Sequence, residues 1–131
     1  MEPHKVIIDT NFLLIPGQFK VDIFSEIDRI LDVPYELCVV EKTMDELQRL
    51  IMSLPPKDKF AAKLGKVLAE QKHLKRVGIS KGRESADDDI VSFSDKNTYV
   101  ATQDAILRKR VREKGAKVIG LRQKKYLTVM G

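Results

Sequence analysis

Asp9, Glu46, Asp87 and Asp104 stand where apolar, strand-like runs stop or where a helical pattern starts. Asp9 follows Val6-Ile7-Ile8, and Glu46 comes shortly after Leu37-Cys38-Val39-Val40. Asp87 opens a helical stretch, and Asp104 follows Tyr99-Val100-Ala101-Thr102. In an open α/β sheet the carboxyl ends of the parallel strands share one edge, and ligands bind in the crevice there. Acids far apart in sequence then meet in one cleft. Two such charges about 4 Å apart repel by roughly 4 kcal/mol at an effective dielectric near 20. Without a cation some of them carry raised pKa values. Magnesium or manganese relieves the repulsion, taking one or two carboxylates directly and keeping waters for a substrate phosphate. The pattern points to metal-dependent phosphoester chemistry.

Each acid also has a purely structural alternative. Asp9 before Thr10-Asn11 fits a turn, because Asp and Asn hydrogen-bond their own nearby backbone. Thr43-Met44-Asp45-Glu46 fits a capping box, which would make Glu46 a helix-start residue. Asp45 is the neighbouring acid but points to another side of the helix. Asp87-Asp88-Asp89 diverge around a helix axis and cannot all serve one site. Ser85 and Asp88 have cap spacing, which leaves Asp87 for chemistry. All three favour the positive end of the helix dipole. Asp104 fits a helix N-cap. Four independent caps have no reason to converge, so convergence is what separates chemistry from capping.

The elements that must carry these acids alternate. Val6–Ile8 is expected as a strand buried on both sides, followed by an apolar turn or short helix over Phe12–Ile15, closed by Pro16-Gly17. Val21, Phe24, Ile27, Ile30 and Leu31 recur at helical spacing and stop before Pro34. Tyr35–Val40 reads as a strand and Thr43–Leu54 as a helix. After Pro55, Pro56 opens a helix running towards Leu74. Arg76–Ile79 is a short strand, and Lys81-Gly82-Arg83-Glu84 a polar connector. A helix runs from Ser85 to about Lys96, and Tyr99–Thr102 is a strand. A further helix spans Asp104–Gly115, with Gly115 as its C-terminal cap, and Lys117–Leu121 follows as a strand. The tail from Arg122 to Gly131 alternates weakly, as an edge strand or a docked segment. Alternating strands and helices imply parallel pairing with helices on both faces. The expected fold is α/β, a three-layer α/β/α sandwich with a central, mostly parallel five-stranded sheet.

The chain has 131 residues, room for a single domain over 1–131. Cys38 is the only cysteine, so no disulfide framework exists within the chain, and its apolar run suggests a small buried hydrophobe. No basic leader precedes a long apolar stretch, and no run approaches the roughly 18–20 apolar residues that span a bilayer. A cytoplasmic protein without membrane contact is expected. Lys and Arg outnumber Asp and Glu by 24 to 19. The excess is concentrated: Ala105–Lys125 holds nine basic residues against Glu113, and Lys57–Arg83 nine against Asp58 and Glu70. Such segments suit a polyanion, and equally suit solvated helix faces. Tyr99 and Phe93 fit a core rather than a base-stacking platform. His4 and His73 lack a partner arrangement and are expected at the surface.

The same residues resemble the PIN domain, a family of metal-dependent nucleases. Val6-Ile7-Ile8-Asp9-Thr10-Asn11-Phe12-Leu13 is similar to its opening signature, and Met44-Asp45-Glu46-Leu47 to its second motif. Ser85-Ala86-Asp87-Asp88-Asp89-Ile90 resembles the third, and Val100-Ala101-Thr102-Gln103-Asp104-Ala105-Ile106-Leu107 the fourth. The resemblance covers essentially the whole chain. It implies a divalent-metal-dependent endoribonuclease in which Asp9, Glu46, Asp87 and Asp104 are catalytic and hold one or two Mg²⁺ or Mn²⁺ ions. Asn11, Thr102 and Asp88 are placed by resemblance around them as orienting groups. Lys57, Lys63, Arg83, Arg108 and Arg112 are expected to guide an RNA backbone, single-stranded or structured precursor RNA. The Ala-Asp-Asp element and the ending Gly120-Leu121-Arg122-Gln123-Lys124-Lys125-Tyr126-Leu127 resemble the branch related to ribosomal-RNA-processing factors. The toxin branch, which implies an antitoxin partner, is the rival, and a non-catalytic RNA-binding scaffold is the third reading. An isologous homodimer is a further implication, with Leu127, Val129 and Met130 as contact candidates.

Overall fold

Runs of branched aliphatic residues form the central strands of the sheet, and Asp9 and Asp104 follow the ends of two of them. The structure, a computed structural model, describes residues 2–130. The strands are β1 (His4–Ile8), β2 (Tyr35–Val40), β3 (Lys75–Val77), β4 (Thr98–Ala101), β5 (Lys117–Arg122) and β6 (Tyr126–Met130). They make one six-stranded sheet in the order β3-β2-β1-β4-β5-β6. The pairs from β3 to β5 are parallel, and β6 joins β5 antiparallel at the edge. The expected five strands therefore become six, because the weakly alternating tail pairs with β5. In β6 only Leu127 is fully buried, whereas all four residues of β4 are.

The helices are α1 (Ile15–Phe19), α2 (Ile23–Ile30), α3 (Glu41–Ser53), α4 (Pro56–Gln71), α5 (Ala86–Phe93) and α6 (Ala105–Glu113). A 3-10 turn over Thr10–Leu14 precedes α1. Strand alternation sends Val6, Ile8, Val39, Tyr99, Ala101 and Ile119 to one face, where residues of α1 to α4 pack. Ile7, Cys38, Val40, Val100 and Val118 go to the other, against α5 and α6. Val6, Ile7 and Ile8 are all 0% exposed, which is why that run shows no polar alternation. Cys38 is buried, and burial pushes its thiol up to about 11, leaving it inert at neutral pH.

Several boundaries differ from the sequence expectation. Pro16 and Gly17 lie inside α1 instead of closing the segment. Proline is tolerated in that first turn, and a Cβ on Gly17 would stand 2.6 Å from Ala61 Cα of α4. Gly65 of α4 is equally constrained, since its Cβ would meet the Leu13 carbonyl oxygen at 2.5 Å. These two glycines let α4 press against the segment that follows Asp9. Helix α3 starts at Glu41, directly after β2, so Thr43 and Glu46 sit inside it and no capping box forms. Leu127 is a core residue, 1% exposed, and is removed from the dimer-contact candidates. His4 is half-buried against Tyr99, with ring centroids 5.7 Å apart, while His73 is exposed. No helix among the described residues is long and apolar enough to cross a membrane.

Candidate active site

The sheet order reverses at β1, which has β2 on one side and β4 on the other, so a crevice opens at the carboxyl edge there. Asp9 follows β1 and Asp104 follows β4 by three residues, so both stand on that edge. Glu46 comes from the second turn of α3, which leaves β2 at the same edge, and Asp87 from the first turn of α5.

Asp9 is the deepest of the four, 6% exposed. Its Oδ1 accepts the Thr10 N–H at 2.8 Å, and its Oδ2 accepts the Thr102 hydroxyl at 2.8 Å. The Thr102 oxygen in turn accepts the Asp104 N–H at 3.0 Å, so one hydroxyl ties the first acid to the fourth. Thr102, expected beside the acids, makes both of these contacts through its one hydroxyl. Asp104 caps α6, accepting the Leu107 N–H at 2.9 Å, yet its side chain is on an exposed residue at the cleft. Capping and site membership coexist in this residue.

Glu46 accepts the Thr10 hydroxyl at 3.1 Å, and the same hydroxyl lies 3.3 Å from Thr43 Oγ1. Thr10, and not the expected Asn11, makes the contact to Glu46. Asn11 is exposed and makes no side-chain hydrogen bond among the described residues. The 3-10 turn directs Thr10 inward and Asn11 outward, which is a local geometry that the three-residue string alone does not reveal. Thr43, read as a cap, is fully buried in this network.

The three consecutive acids of α5 go three ways. Asp88 completes the capping box with Ser85 and pairs with Arg110 at 2.9 Å. These contacts hold the start of α5 and bring Arg110 near Asp87. Asp89 lies 3.1 Å from the ammonium of the buried Lys42. That contact is an ion pair outside hydrogen-bond geometry, since Asp89 Oδ2 has no hydrogen-bond partner. Asp87 alone is left facing the other site acids.

The electrostatics bear the marks of crowding. Burial, with the Asp87 and Glu46 charges behind it, pushes Asp9 up to about 6 against the hydrogen bond from Thr102. Burial, then the Asp87 charge, raises Glu46, opposed by Thr10 and by Arg49. Burial, then the Asp104 charge, raises Asp87, with Arg110 opposing. None of the four forms an ion pair within 4.0 Å among the described residues. Arg49 and Arg110 are nearby cations that sequence reasoning missed; the i,i+3 spacing of Glu46 and Arg49 on α3 could have signalled the first, whereas Arg110 reaches Asp87 from a different helix and left no local signal.

An all-oxygen, anionic donor set without ion-paired cations fits a hard divalent ion. Among the described residues, no three acids, histidines or cysteines are close enough to enclose an ion by themselves. Of the basic candidates, Lys57, Lys63, Arg83 and Arg112 are exposed. Arg108 is not free: its guanidinium donates to the Thr102 carbonyl at 3.1 Å and to Gln103 at 2.8 Å, bracing the β4–α6 loop.

The pattern described as "PIN like domain" matches residues 6–124. The chain is 33% identical over 132 aligned positions, 98% of both chains, to the protein named Ribonuclease VapC4 of Methanocaldococcus jannaschii. It is 34% identical over 113 positions to the rRNA-processing protein FCF1 of Saccharomyces cerevisiae, covering 85% of this chain and 56% of that one. The solved structure of the PIN domain endonuclease Utp24 superposes with a TM-score of 0.75 at 28% identity, over 97% of this chain and 91% of that one. With its acids at the carboxyl edge of this sheet, the chain belongs to the PIN domain nuclease family.

Proposed function

We propose that this protein is a divalent-metal-dependent endoribonuclease that hydrolyses RNA phosphodiester bonds in ribosomal RNA processing. The observation that carries it is the meeting of Asp9, Glu46 and Asp87 as mutually repelling, unpaired carboxylates beside Asp104. These four would hold Mg²⁺ or Mn²⁺. When bound, the ion lowers the pKa of a coordinated water and neutralises charge building on the phosphate. The chain's own residues do the positioning. Thr102 aims Asp9 and Thr10 aims Glu46, while Arg49, and Arg110 once released from Asp88, would meet phosphate oxygens. Lys57, Lys63, Arg83 and Arg112 supply backbone attraction and salt dependence, not sequence choice. The likeness to a yeast rRNA-processing protein supports the ribosomal assignment.

The test is cutting of labelled single-stranded and structured RNAs with Mg²⁺, Mn²⁺ or chelator. Discrete ends that need metal are expected, and Asp9→Asn should lower the rate by more than the roughly 10–100-fold typical of an outer ligand-orienting residue. Cutting in chelator, or full activity in Asp9→Asn, overturns the assignment. RNA binding without cutting points to the scaffold reading instead. A second reading, a toxin-type ribonuclease silenced by an antitoxin, is favoured by the full-length match to an archaeal ribonuclease. A small antitoxin gene beside this one, whose product stops cutting, would establish it.

A further inference from the structure

Next to the acids lies a second concavity of about 470 Å³, between the segment after Asp9 and the β5–β6 hairpin. Asn11, two residues past Asp9, and Gln103, one before Asp104, place it against the acidic edge. Its apolar surface comes from Ile15, Leu121 and Phe19, and the Lys124 ammonium stands 5.6 Å over the Phe19 ring. Among the described residues no carboxylate lines it, in contrast to the acidic edge beside it. Gln103 is fully engaged, exchanging hydrogen bonds with the Leu121 backbone and accepting from Arg108. Asn11, Gln18 and Gln123, all exposed, line the same concavity, and their side chains make no hydrogen bond among the described residues. Gln123 and Lys124 both sit at positive φ, 53° and 56°, in the tight β5–β6 turn. Glycine or asparagine is the cheap choice there, yet the turn presents two long polar side chains to the cavity.

We propose that this cavity is a nucleobase subsite, taking one unstacked base of the strand whose phosphate lies at the four acids. The inference rests on the endoribonuclease reading for the identity of the strand. Apolar walls with an aromatic ring suit a base face, and carboxamides offer the donor–acceptor pair that base edges match. Lys124 and the absence of carboxylates suit the phosphates on either side. The volume lies in the range of small-molecule sites and accommodates a single base. The subsite gives a nuclease whose acids ignore sequence a way to prefer one nucleotide beside the cut.

Two measurements test this. In the first, the ¹⁵N-labelled wild-type protein is titrated with each of the four nucleoside 5′-monophosphates, and with ribose 5-phosphate, in chelator. Saturable shifts of the Gln18 and Gln123 carboxamide signals by at least one nucleotide, absent with ribose 5-phosphate, are the expected result. Equal shifts with ribose 5-phosphate, or none with any nucleotide at millimolar concentration, overturn the subsite. In the second, cut sites are mapped on a randomised single-stranded RNA. A preference of about tenfold at one flanking nucleotide, the factor one paired base edge supplies, should vanish in Gln18→Ala/Gln123→Ala while metal-dependent cutting persists. Both positions are exposed, so the variant's melting temperature should match the wild type. An unchanged preference overturns the subsite. If the wild type cuts no RNA, the endoribonuclease reading fails, and the titration still decides the base subsite.

Discussion

Asp9 concentrates the conflict between folding and function in one side chain. It is nearly buried, has two hydrogen bonds, and still titrates near 6 instead of 3.8, because burial and two neighbouring carboxylates outweigh Thr102 and Thr10. The folded state therefore holds its proton more tightly than the unfolded chain does. Stability is at its fullest below the unfolded value of 3.8 and is lost as pH rises through about 6. A two-unit shift corresponds to about 3 kcal/mol as an upper figure. Glu46 and Asp87 are raised too and act in the same sense. In chelator, urea unfolding of the wild type should show falling stability between pH 4 and 7, and Asp9→Asn should remove much of that fall. The variant should then be the more stable protein above pH 6, and Mn²⁺ should reverse the order by binding the ionised wild-type site. Parallel curves for the two proteins would show that the acid is not crowded.

Helices α3 and α5 bring Glu46 and Asp87 to the cleft, and the Lys42–Asp89 pair links the two helices. Lys42 is 7% exposed, so the pair is shielded from water on the lysine side. Removing one partner of a buried pair costs about 3–5 kcal/mol, because the other charge is left stranded, whereas an apolar replacement of both is often neutral. Lys42→Met should therefore destabilise by about that amount and lower activity, and Lys42→Met/Asp89→Leu should recover most of the stability. Denaturant midpoints of the three proteins decide it; equal losses in single and double variants would make the pair incidental. This link shows where sequence stops being informative. The strand ends and their acids were legible, because a run buried on both faces must stop where a polar edge begins. The Ser85–Asp88 cap was legible for the same local reason. Thr43-Met44-Asp45-Glu46 looked like a cap because the pattern is local, while the true partner of both end residues is Thr10, 33 and 36 positions away. Lys42 facing Asp89 is equally non-local. The sixth strand was faint because an edge strand needs only one buried side.

Charge is divided across the molecule in a way that its net value of +5 hides. The acids gather at the carboxyl edge of the parallel strands, and the basic excess lies in the two stretches that include α4 and α6. On the proposed function, a polyanion drawn to the basic faces would be held off by the acidic edge until a divalent ion neutralised it. Binding in chelator should accordingly be weaker than in Mn²⁺, and in both cases salt-dependent, since each neutralised phosphate of a single strand releases counterions with a slope near −0.7 in log K against log salt. Measured by fluorescence anisotropy on a single-stranded RNA in the Asp9→Asn background, where cutting is expected to be slow, Lys57→Ala, Lys63→Ala, Arg83→Ala and Arg112→Ala should each reduce the slope by up to about that unit. Arg108→Ala should behave differently. Its guanidinium is spent on the Thr102 carbonyl and Gln103, so its loss should loosen the β4–α6 loop, lower the melting temperature and leave the salt slope nearly unchanged. If Arg108→Ala reduces the slope like the others while stability stays constant, the residue touches phosphate and the loop does not need it. If none of the five changes the slope, the basic stretches are solvated helix faces, and attraction to RNA must come from the cleft and its ion alone.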